Sequence, residues 1–343
     1  MPSALADRLR ERIRREGPIS FADFMEAALY DPEEGYYARG ARIGEGGDFA
    51  TSPSLSPAFA AAIARRFAAD AAWLEGPVHF VEVGSASGAF LADFAAALSR
   101  DHPAVSARTT VTAIERSAAG RAALAGHPAR VLPSAADLAE GSVVGWIFGN
   151  ELFDALPVAR IRGSAGGLEE LRVGVHGDRF VWVSGPAPPE WAGILSSRGV
   201  TIEPGQEGEI RPGAAALHRR LARALGRGRI VLFDYGHRAR TLYHPLARPR
   251  GTLAVHERGR RGGDPLERPG ERDLTAHVDW DELIATGESE GLVTDGPFRQ
   301  GRYLTESGIF DFAGNQAEKW RIFRLVDPVG MGDEISVLVQ SRP

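Results

Sequence analysis

Polar side chains cluster where two apolar runs of the sequence end. Asn150, Glu151 and Asp154 follow the run SVVGWIF, and Asp234 and Tyr235 follow the run RIVLF. Carboxylates in such places accept hydrogen bonds from an amine or a guanidinium, or act as a base when their pKa is raised. We therefore take Glu151 and Asp154 as candidate catalytic residues, and Asp234 and Tyr235 as candidate pocket residues. The alternative for Asn150 and Glu151 is the N-cap and first turn of a short helix.

The stretch VEVGSASGAFLADF joins an apolar run to a glycine-rich turn and then to a helical pattern. Gly84 and Gly88 let the backbone approach a ligand, and the helix that follows offers free N–H groups. Glu82 before the turn and Glu115 at the end of the next strand suit the ribose hydroxyls of a nucleoside. Ala86 stands where a dinucleotide-binding fingerprint requires glycine, so that match is poor. The alternative is a strand–helix turn that merely needs small residues.

A second polar stretch lies near the start of the chain, in GEGGDFATSPSLSPAF. Ser56 and Pro57 have a structural explanation there, as the N-cap and first residue of a helix. Local structure offers no such explanation for Asp48, Thr51 and Ser52.

The motif RDLTAHVDW predicts a helix with Thr275 as its N-cap and His277 on its first turn, and His277 joins the candidate pocket residues. The nine histidines show no HExxH motif or tight paired spacing, so we predict no metal site. No G-x-S-x-G elbow is present, which argues against a hydrolase triad.

Composition narrows the function classes further. The 343 residues include no cysteine, which excludes disulfides and thiolate chemistry, and the net charge of −5 does not favour nucleic acid. No apolar run approaches the ~20 residues that cross a bilayer. The N-terminal segment lacks an apolar stretch, and acidic residues interrupt its arginines, unlike a secretory signal or a transit peptide. We expect a cytoplasmic protein without a membrane or nucleic-acid partner.

The order of apolar runs and helical patterns indicates how these residues are positioned. Strands and helices alternate at βαβ spacing from Val78 onwards, which predicts a parallel sheet with helices on both faces. Short strands with Gly turns then predict an antiparallel insertion. We expect four segments: N-terminal helices and the polar loop (1–72), the first part of the α/β domain (73–157), a β-rich insertion (158–212), and the second part of the α/β domain with a long loop over 237–275 (213–343).

The chain resembles the MidA-like proteins, a family of class I S-adenosylmethionine-dependent methyltransferases. The resemblance covers residues 18 to 340 and rests on six motifs in the family's order: GDFATSP, VEVGSASG, NELFDALPV, FDYGH, RPRGTLAVH and RDLTAHVDW. It implies a Rossmann-like sheet of seven strands, S-adenosylmethionine as cofactor, and methyl transfer to a protein arginine or another nitrogen acceptor. Mitochondrial members act in respiratory complex I assembly by dimethylating an arginine of a complex I subunit.

In this family the glycine-rich turn and the acid of the second strand hold the cofactor, and the GDF-T-S-P loop lies over it. The resemblance therefore implies cofactor contacts for Asp48, Thr51, Ser52, Gly84, Ala86, Gly88 and Glu115. Glu82 and Asn150, which lie at the same strand ends, complete the candidate cofactor-binding residues.

Two segments depart from the family pattern. The turn reads G-S-A-S-G instead of G-P-G-R-G, so the methyl group of Ala86 lies where the protein backbone should pass close to the cofactor. Near the start of the chain, Ser54 replaces a glutamate. Two rival functions stay open at this point. One is a non-catalytic assembly or scaffold protein on a methyltransferase fold. The other is a nicotinamide-dependent oxidoreductase, which Ala86 disfavours. The sequence does not identify the methyl acceptor or the oligomeric state.

Overall fold

The computed structural model describes residues 3–40 and 51–343. Its strands are β1 Ile19–Ser20, β2 Val78–Val83, β3 Thr109–Ile114, β4 Arg130–Leu132, β5 Val143–Asn150, β6 Ala159–Ser164, β7 Gly167–His176, β8 Arg179–Pro186, β9 Glu207–Ile210, β10 Leu225–His237, β11 Ala254–Glu257, β12 Arg260–Arg261, β13 Asp273–Thr275, β14 Val278–Asp279, β15 Val293–Arg299 and β16 Ile335–Arg342. Its helices are α1 Ala4–Glu16, α2 Phe21–Tyr30, α3 Ser52–Leu55, α4 Pro57–Ala71, α5 Ala89–Asp101, α6 Pro103–Ser106, α7 Ala118–Ala123, α8 Pro189–Ser197, α9 Ala214–Ala224, α10 Ala239–Leu242, α11 Trp280–Ser289, α12 Gln300–Glu306, α13 Gln316–Val326 and α14 Met331–Glu334.

Contacts within the chain divide it into two compact units, which are described separately below. The sheet unit comprises Arg42–Leu152, Ala215–Tyr235 and Glu282–Pro343. The insert unit comprises Met1–Ala41, Phe153–Ala214 and Gly236–Asp281. The four-segment division expected from the sequence stays a prediction.

The main sheet has the strand order β15-β16-β10-β5-β2-β3-β4. The strands from β10 to β4 are parallel, and β16 runs antiparallel to both β10 and β15. These are the seven strands expected, and β14 adds a short parallel pairing at the end of β10. The order reverses between β5 and β2, because β2 leads outward to β3 and β4 before the chain returns. Ligands of open α/β sheets bind at such a switch point, beyond the carboxyl ends of the strands.

Apolar side chains explain why the strands of the sheet unit form its centre. Phe80, Trp146 and Phe148 on neighbouring strands are almost fully buried, against Phe67 of α4 and Phe94 of α5. Each such aromatic side chain contributes roughly 1.5–3 kcal/mol by leaving water. This core fixes the strand ends that carry the candidate site residues.

Antiparallel strands dominate the insert unit. One sheet has the order β1-β7-β6-β9, with β8 paired to β7, and a second has the order β12-β11-β13. Helices α1 and α2 begin at the N-caps Ser3 and Ser20, each of which accepts a hydrogen bond from a backbone N–H in the first turn. The antiparallel insertion predicted from the sequence is confirmed for β6, β7 and β8.

One sequence prediction is wrong in detail. The helix expected to start at Thr275 begins at Trp280, because Thr275 pairs with Ala254 as the end of β13 and the chain then enters β14. His277 therefore lies in the connection before β14 and not on a helical turn. The segment 237–275, expected to be a long loop, also contains α10 and three short strands. Within residues 3–40 and 51–343, no helix combines the length and apolarity needed to cross a membrane.

Candidate functional site

The turn after β2 has a backbone that only small residues adopt readily. Gly84, Ala86 and Gly88 have φ values of 81°, 46° and 77°, in the left-handed region that favours glycine. A Cβ on Gly84 would lie 3.1 Å from Cδ1 of Leu152, and one on Gly88 would lie 2.4 Å from Cδ2 of Leu124. Ala86 is thus a strained exception, and its strain accords with the glycine that the family has here.

Two buried carboxyl groups flank this turn. Glu115 is 7% exposed, and its Oε2 accepts a hydrogen bond from the Ala86 N–H at 2.9 Å. Its Oε1 accepts another from the Ser117 N–H at 2.7 Å. Glu82 is 5% exposed, and burial, with a further contribution from the charge of Glu115, raises its pKa to about 8.

Buried acceptors near the turn suit a ligand that donates hydrogen bonds. Oε2 of Glu82 and Oδ1 of Asn150 are buried and accept no hydrogen bond from any residue that the structure describes. Such groups in native proteins are usually satisfied by a ligand or water. An ammonium group and ribose hydroxyls are donors of this kind, so the residues present fit S-adenosylmethionine.

The end of β5 connects Asn150 and Glu151 to the polar segment near the start of the chain. Oε1 of Glu151 accepts hydrogen bonds from Nδ2 of Asn150 at 3.0 Å and from the Ser52 N–H at 3.2 Å. Glu151 has φ 48° and donates its own N–H to the carbonyl of Phe233 at 2.8 Å. No helix follows β5 in the described segment before β6, so Asn150 is not a helix cap. Non-glycine residues held with positive φ cluster at functional sites.

Ser52 is a buried residue whose partner the sequence did not reveal. Its hydroxyl lies 2.8 Å from Oε1 of the buried Gln300, which in turn donates to the carbonyl of Leu325 at 2.9 Å. The Thr51 N–H donates to Oγ of Ser54 at 2.9 Å, which closes the first turn of α3. Asp48 lies outside the described residues. No local pattern around Gln300 could have identified this pairing, because it joins residues 248 positions apart.

Asp234 at the end of β10 holds backbone in place. Its Oδ2 accepts from the Leu152 N–H at 3.1 Å and its Oδ1 from the Tyr235 N–H at 2.9 Å. The carboxylate is 1% exposed, while Tyr235 is half-buried. These contacts fix the backbone that follows Glu151. That Asp234 and Tyr235 line an acceptor pocket stays a prediction.

In the insert unit, Asp154 lies in a segment that one arginine organises. The guanidinium of Arg211 donates to the carbonyls of Asp154, Leu156 and His277, each at 3.2 Å, and of Ala276 at 2.6 Å. The Ala276 N–H also donates to the Asp154 carbonyl, at 3.0 Å. The side chain of Asp154 is 5% exposed, and burial raises its pKa to about 6 against the opposing charge of Arg211.

Tyrosines and a second acid lie close to Asp154. The hydroxyl of Tyr37 donates to Oδ1 of Asp273 at 3.1 Å, and that of Tyr30 to the carbonyl of Ala155 at 3.0 Å. The rings of Tyr30 and Tyr37 stack with centroids 5.2 Å apart. Burial raises the pKa of Tyr37 well above its usual value, and the charges of Asp273 and Asp154 add to the shift. We call Tyr30, Tyr37, Asp154 and Asp273 the acid–tyrosine cluster.

Sequence reasoning missed three members of this cluster. Tyr37 belongs to the sequence GYY, and Asp273 belongs to RDLT, whose Thr275 was predicted to be a helix cap. The available signal was the pair of adjacent tyrosines in a turn segment that is otherwise polar. His277, which the sequence did single out, donates its backbone N–H to Oγ1 of Thr252 at 3.0 Å.

The fold and these strand ends define a class of protein. A mostly parallel sheet with a switch point, a glycine-rich turn after β2 and an acid after β3 is the arrangement of class I methyltransferases, as the resemblance implied. A family model described as S-adenosyl-L-methionine-dependent methyltransferase matches residues 60–298. The chain belongs to this family.

Individual relatives agree with this placement. A crystal structure of a Burkholderia thailandensis protein bound to S-adenosyl-homocysteine has a TM-score of 0.89 and 30% identity, over 99% of this chain and 92% of that one. The mouse mitochondrial protein arginine methyltransferase NDUFAF7 is 27% identical over 95% of this chain and 81% of its own length. The human protein of the same name is 26% identical over 88% of this chain and 72% of its own. The chain is an S-adenosylmethionine-dependent methyltransferase, and these relatives favour that function over a scaffold role.

The comparisons contradict one expectation. The curated relatives from mouse, cattle and human are mitochondrial by name, so the expected cytoplasmic location is wrong on this evidence from relatives. That expectation rested on the charged N-terminal segment. Its missing apolar stretch argues against a secretory signal, but its scattered acids are weak grounds for choosing among compartments.

Proposed function

We propose that this methyltransferase acts on the guanidinium of an arginine in a protein. The observation that carries the proposal is the acid–tyrosine cluster, in which two buried carboxyl groups and two stacked tyrosine rings lie together. Carboxylates bind a guanidinium in bidentate fashion, and aromatic faces attract its delocalised charge. The names of the curated relatives, protein arginine methyltransferases, support the same acceptor.

The residues at the ends of β2, β3 and β5 are proposed to hold the cofactor. Glu82 and Asn150 each offer its ammonium group a buried acceptor that no described residue satisfies, and Glu115 offers lone pairs to its ribose hydroxyls. Gly84 and Gly88 keep the backbone close to it. Thr51, Ser52, Ala86 and the undescribed Asp48 complete this proposed set. When bound, S-adenosylmethionine supplies a methyl group already activated by its sulfonium.

The remaining task of the protein is to align the acceptor nitrogen and to remove its proton. Alignment alone lowers a reaction barrier substantially, because it removes the entropy of bringing two groups together. We propose that Asp154 takes the proton, since its pKa of about 6 suits a base near neutral pH. Glu151 is proposed to bind or deprotonate the acceptor as well, and His277 to line its pocket.

The proposed acceptor is tested with S-adenosylmethionine that carries a deuterated methyl group. The enzyme is incubated with a library of random peptides, and tandem mass spectrometry locates the label. We expect label on arginine side-chain nitrogens and none on lysine. Replacing the arginine of each labelled peptide with lysine provides the matched control and should abolish labelling. Label on lysine, histidine or a terminal amine instead would contradict the proposal.

A further inference from the structure

A buried glutamine from the C-terminal part of the chain contacts the first residue of α3. Gln300 begins α12 and is fully buried, and it lies in the sheet unit with the residues that it contacts. Both ends of its amide are used: Nε2 donates to the carbonyl of Leu325 at 2.9 Å, and Oε1 accepts from the hydroxyl of Ser52 at 2.8 Å. Neither the cofactor contacts nor the proton transfer proposed above includes Gln300.

The junction of α12 and α13 fixes the orientation of the Gln300 amide. Leu325 lies in the last turn of α13, where the backbone carbonyls have no partner within the helix. Nε2 of Gln300 supplies a donor to one of them. Gly301 lets the two helices approach closely, because a Cβ there would lie 2.6 Å from the carbonyl oxygen of Val326. The donor end of the amide thus faces α13, and the acceptor end faces Ser52.

Ser52 connects this junction to the end of β5. It is fully buried, and while its hydroxyl donates to Gln300, its backbone N–H donates to Oε1 of Glu151 at 3.2 Å. Just beyond α3, the hydroxyl of Ser56 donates to Oε1 of Glu318 on α13. The segment that contains α3 is therefore held at both ends by the C-terminal helices, and Ser52 carries that constraint to Glu151.

Glu151 in turn orients the side chain of Asn150. The oxygen that accepts from Ser52 also accepts from Nδ2 of Asn150, at 3.0 Å. A carboxylate is only an acceptor, so a reversed Asn150 amide would set one oxygen against another. Oδ1 of Asn150 therefore faces away from Glu151. It is buried and accepts no hydrogen bond from residues 3–40 and 51–343.

From this chain of contacts we propose that Gln300 is a positioning residue for the ammonium group of the cofactor. It holds Ser52, Ser52 holds the carboxylate of Glu151, and Glu151 directs Oδ1 of Asn150 towards the ligand. Buried polar contacts that are fully satisfied specify one arrangement of the side chains that form them. The inference rests on the proposed function in one respect, the contact between Asn150 and the ammonium group.

Calorimetry with two ligands tests the proposal. S-adenosyl-homocysteine carries the amino-acid end of the cofactor, whereas 5′-methylthioadenosine keeps the nucleoside and lacks that end. Ser52→Ala removes the hydroxyl and leaves the backbone N–H in place. We expect it to raise the Kd for S-adenosyl-homocysteine about fivefold and that for 5′-methylthioadenosine less than about twofold. Equal losses for both ligands would show a general loosening of the site, and unchanged affinity for both would show no coupling. Either result would overturn the proposal.

Gln300→Leu tests whether Gln300 and Ser52 act together. Leucine fills a similar volume and cannot hydrogen-bond, so this variant should reproduce the ligand pattern of Ser52→Ala. The double variant should bind S-adenosyl-homocysteine no more weakly than the weaker single variant, because both changes break the same link. Additive effects would mean that the two residues act independently and would contradict the proposal. Ser52→Ala keeps the proposal testable if Gln300→Leu does not fold.

Gln340→Leu is the matched control for loss of a buried amide. Gln340 is fully buried in the same unit, and its side chain contacts Ile284, Thr294 and His218, which do not belong to the candidate site. We expect a lower Tm and an unchanged Kd for both ligands. If this variant weakened S-adenosyl-homocysteine binding as Gln300→Leu does, general destabilisation would account for both, and the positioning role would be overturned.

Asn150→Ala separates this inference from the proposed cofactor contact on which it rests. It should weaken S-adenosyl-homocysteine binding at least as much as Ser52→Ala does, with little effect on 5′-methylthioadenosine. Weakened binding in Asn150→Ala beside unchanged binding in Ser52→Ala would overturn the role of Gln300 and leave the cofactor contact standing. Unchanged binding in Asn150→Ala would overturn the contact itself, and the positioning role with it.

Discussion

Glu82 and Glu115 illustrate what single residues contribute to the cofactor site. Both carboxyl groups are buried beside the turn after β2, and the negative charge of Glu115 helps to raise the pKa of Glu82. Two neighbouring carboxyl groups in different surroundings commonly divide different tasks between them. Here Glu115 already accepts two backbone N–H groups, while one oxygen of Glu82 has no protein partner among the described residues.

Substitution of Glu115 should weaken cofactor binding. A charge-assisted hydrogen bond is worth about 1.5–3 kcal/mol, so Glu115→Gln should raise the Kd for S-adenosylmethionine at least tenfold. Isothermal titration calorimetry measures this directly. Glu140→Gln, at an exposed acid of the same unit, serves as the control and should leave the Kd unchanged. Equal affinities for Glu115→Gln and the unaltered protein would remove Glu115 from the proposed site.

Glu82 should make stability depend on pH in the absence of cofactor. Its folded-state pKa of about 8 exceeds its usual 4.5. Between these two pH values, the carboxyl group is protonated in the folded state and ionised in the unfolded state. Stability therefore falls as pH rises from 4.5 to about 8. The lowered pKa values of His218 and His277 affect stability only below pH ~6.5. The fall in stability above that pH is therefore attributed to Glu82.

We expect Glu82→Gln to remove this fall in stability, because glutamine keeps the shape and cannot ionise. Between pH 6.5 and 8.5, the free energy of unfolding should decline by about 1–2 kcal/mol less in the variant than in the unaltered protein. Urea titrations at the two pH values measure the difference. Parallel curves for both proteins would show that the carboxyl group is not held protonated in the fold.

At the scale of elements, the turn between β2 and α5 brings together strand, loop and helix. Its left-handed residues fix the direction in which α5 leaves the sheet. Similarly, α3 begins where the Thr51 N–H bonds to Ser54, the position of a glutamate in the family. A glutamate there would complete a capping box, so the residue at position 54 is explained by helix capping and need not face the acceptor.

Gly84→Val should abolish cofactor binding while the fold persists. Valine would adopt φ near 81° only at a cost of about 1–3 kcal/mol, and its side chain would press on Leu152. Gly76→Val is the matched control, because Gly76 has φ 70° but nothing lies within 4 Å of a Cβ there. Circular dichroism melts should show that both variants are folded, with Gly84→Val the less stable of the two because of its contact with Leu152. Calorimetry should show loss of cofactor affinity for Gly84→Val alone. Retained affinity in this variant would contradict the proposal that the turn after β2 binds the cofactor.

Much of the element order could be predicted from the sequence. Buried strands such as β5 are uninterrupted apolar runs, and Ser3, Ser20 and Ser56 are caps that act within a few residues. The start of α11 could not be predicted, because the long-range pairing of Thr275 with Ala254 overrides a good capping sequence. Local preference is weak compared with such tertiary contacts.

The candidate site follows the same rule. Glu82, Gly84 and Glu115 stand at strand ends that the sequence marks, whereas Tyr37 and Asp273 meet across 236 positions of the chain. Arg248 likewise contacts His237 within a segment that the sequence predicts to be a long loop. Contacts of this kind depend on the short strands of the insert unit, which have little periodicity to reveal them.

At the scale of the whole molecule, the chain divides its proposed tasks between two units. Glu82 and Glu115 belong to the sheet unit, and Asp154 and Tyr37 to the insert unit. The insert unit thus does more than extend the fold, since it carries the cluster proposed to receive the acceptor. This division predicts that substitutions in the two units will affect different measurable quantities.

The most direct test of this account compares turnover with cofactor affinity in Asp154→Asn, with a labelled arginine peptide as acceptor. Asparagine keeps the size of the side chain and removes its charge and basicity. Loss of a general base lowers rates by about 10²–10⁴-fold, so kcat should fall at least 100-fold. The Kd for S-adenosylmethionine should change less than twofold, the reverse of the pattern expected for Glu115→Gln. An equal loss of turnover and cofactor affinity in Asp154→Asn would contradict the account, because it would make Asp154 a cofactor or structural residue.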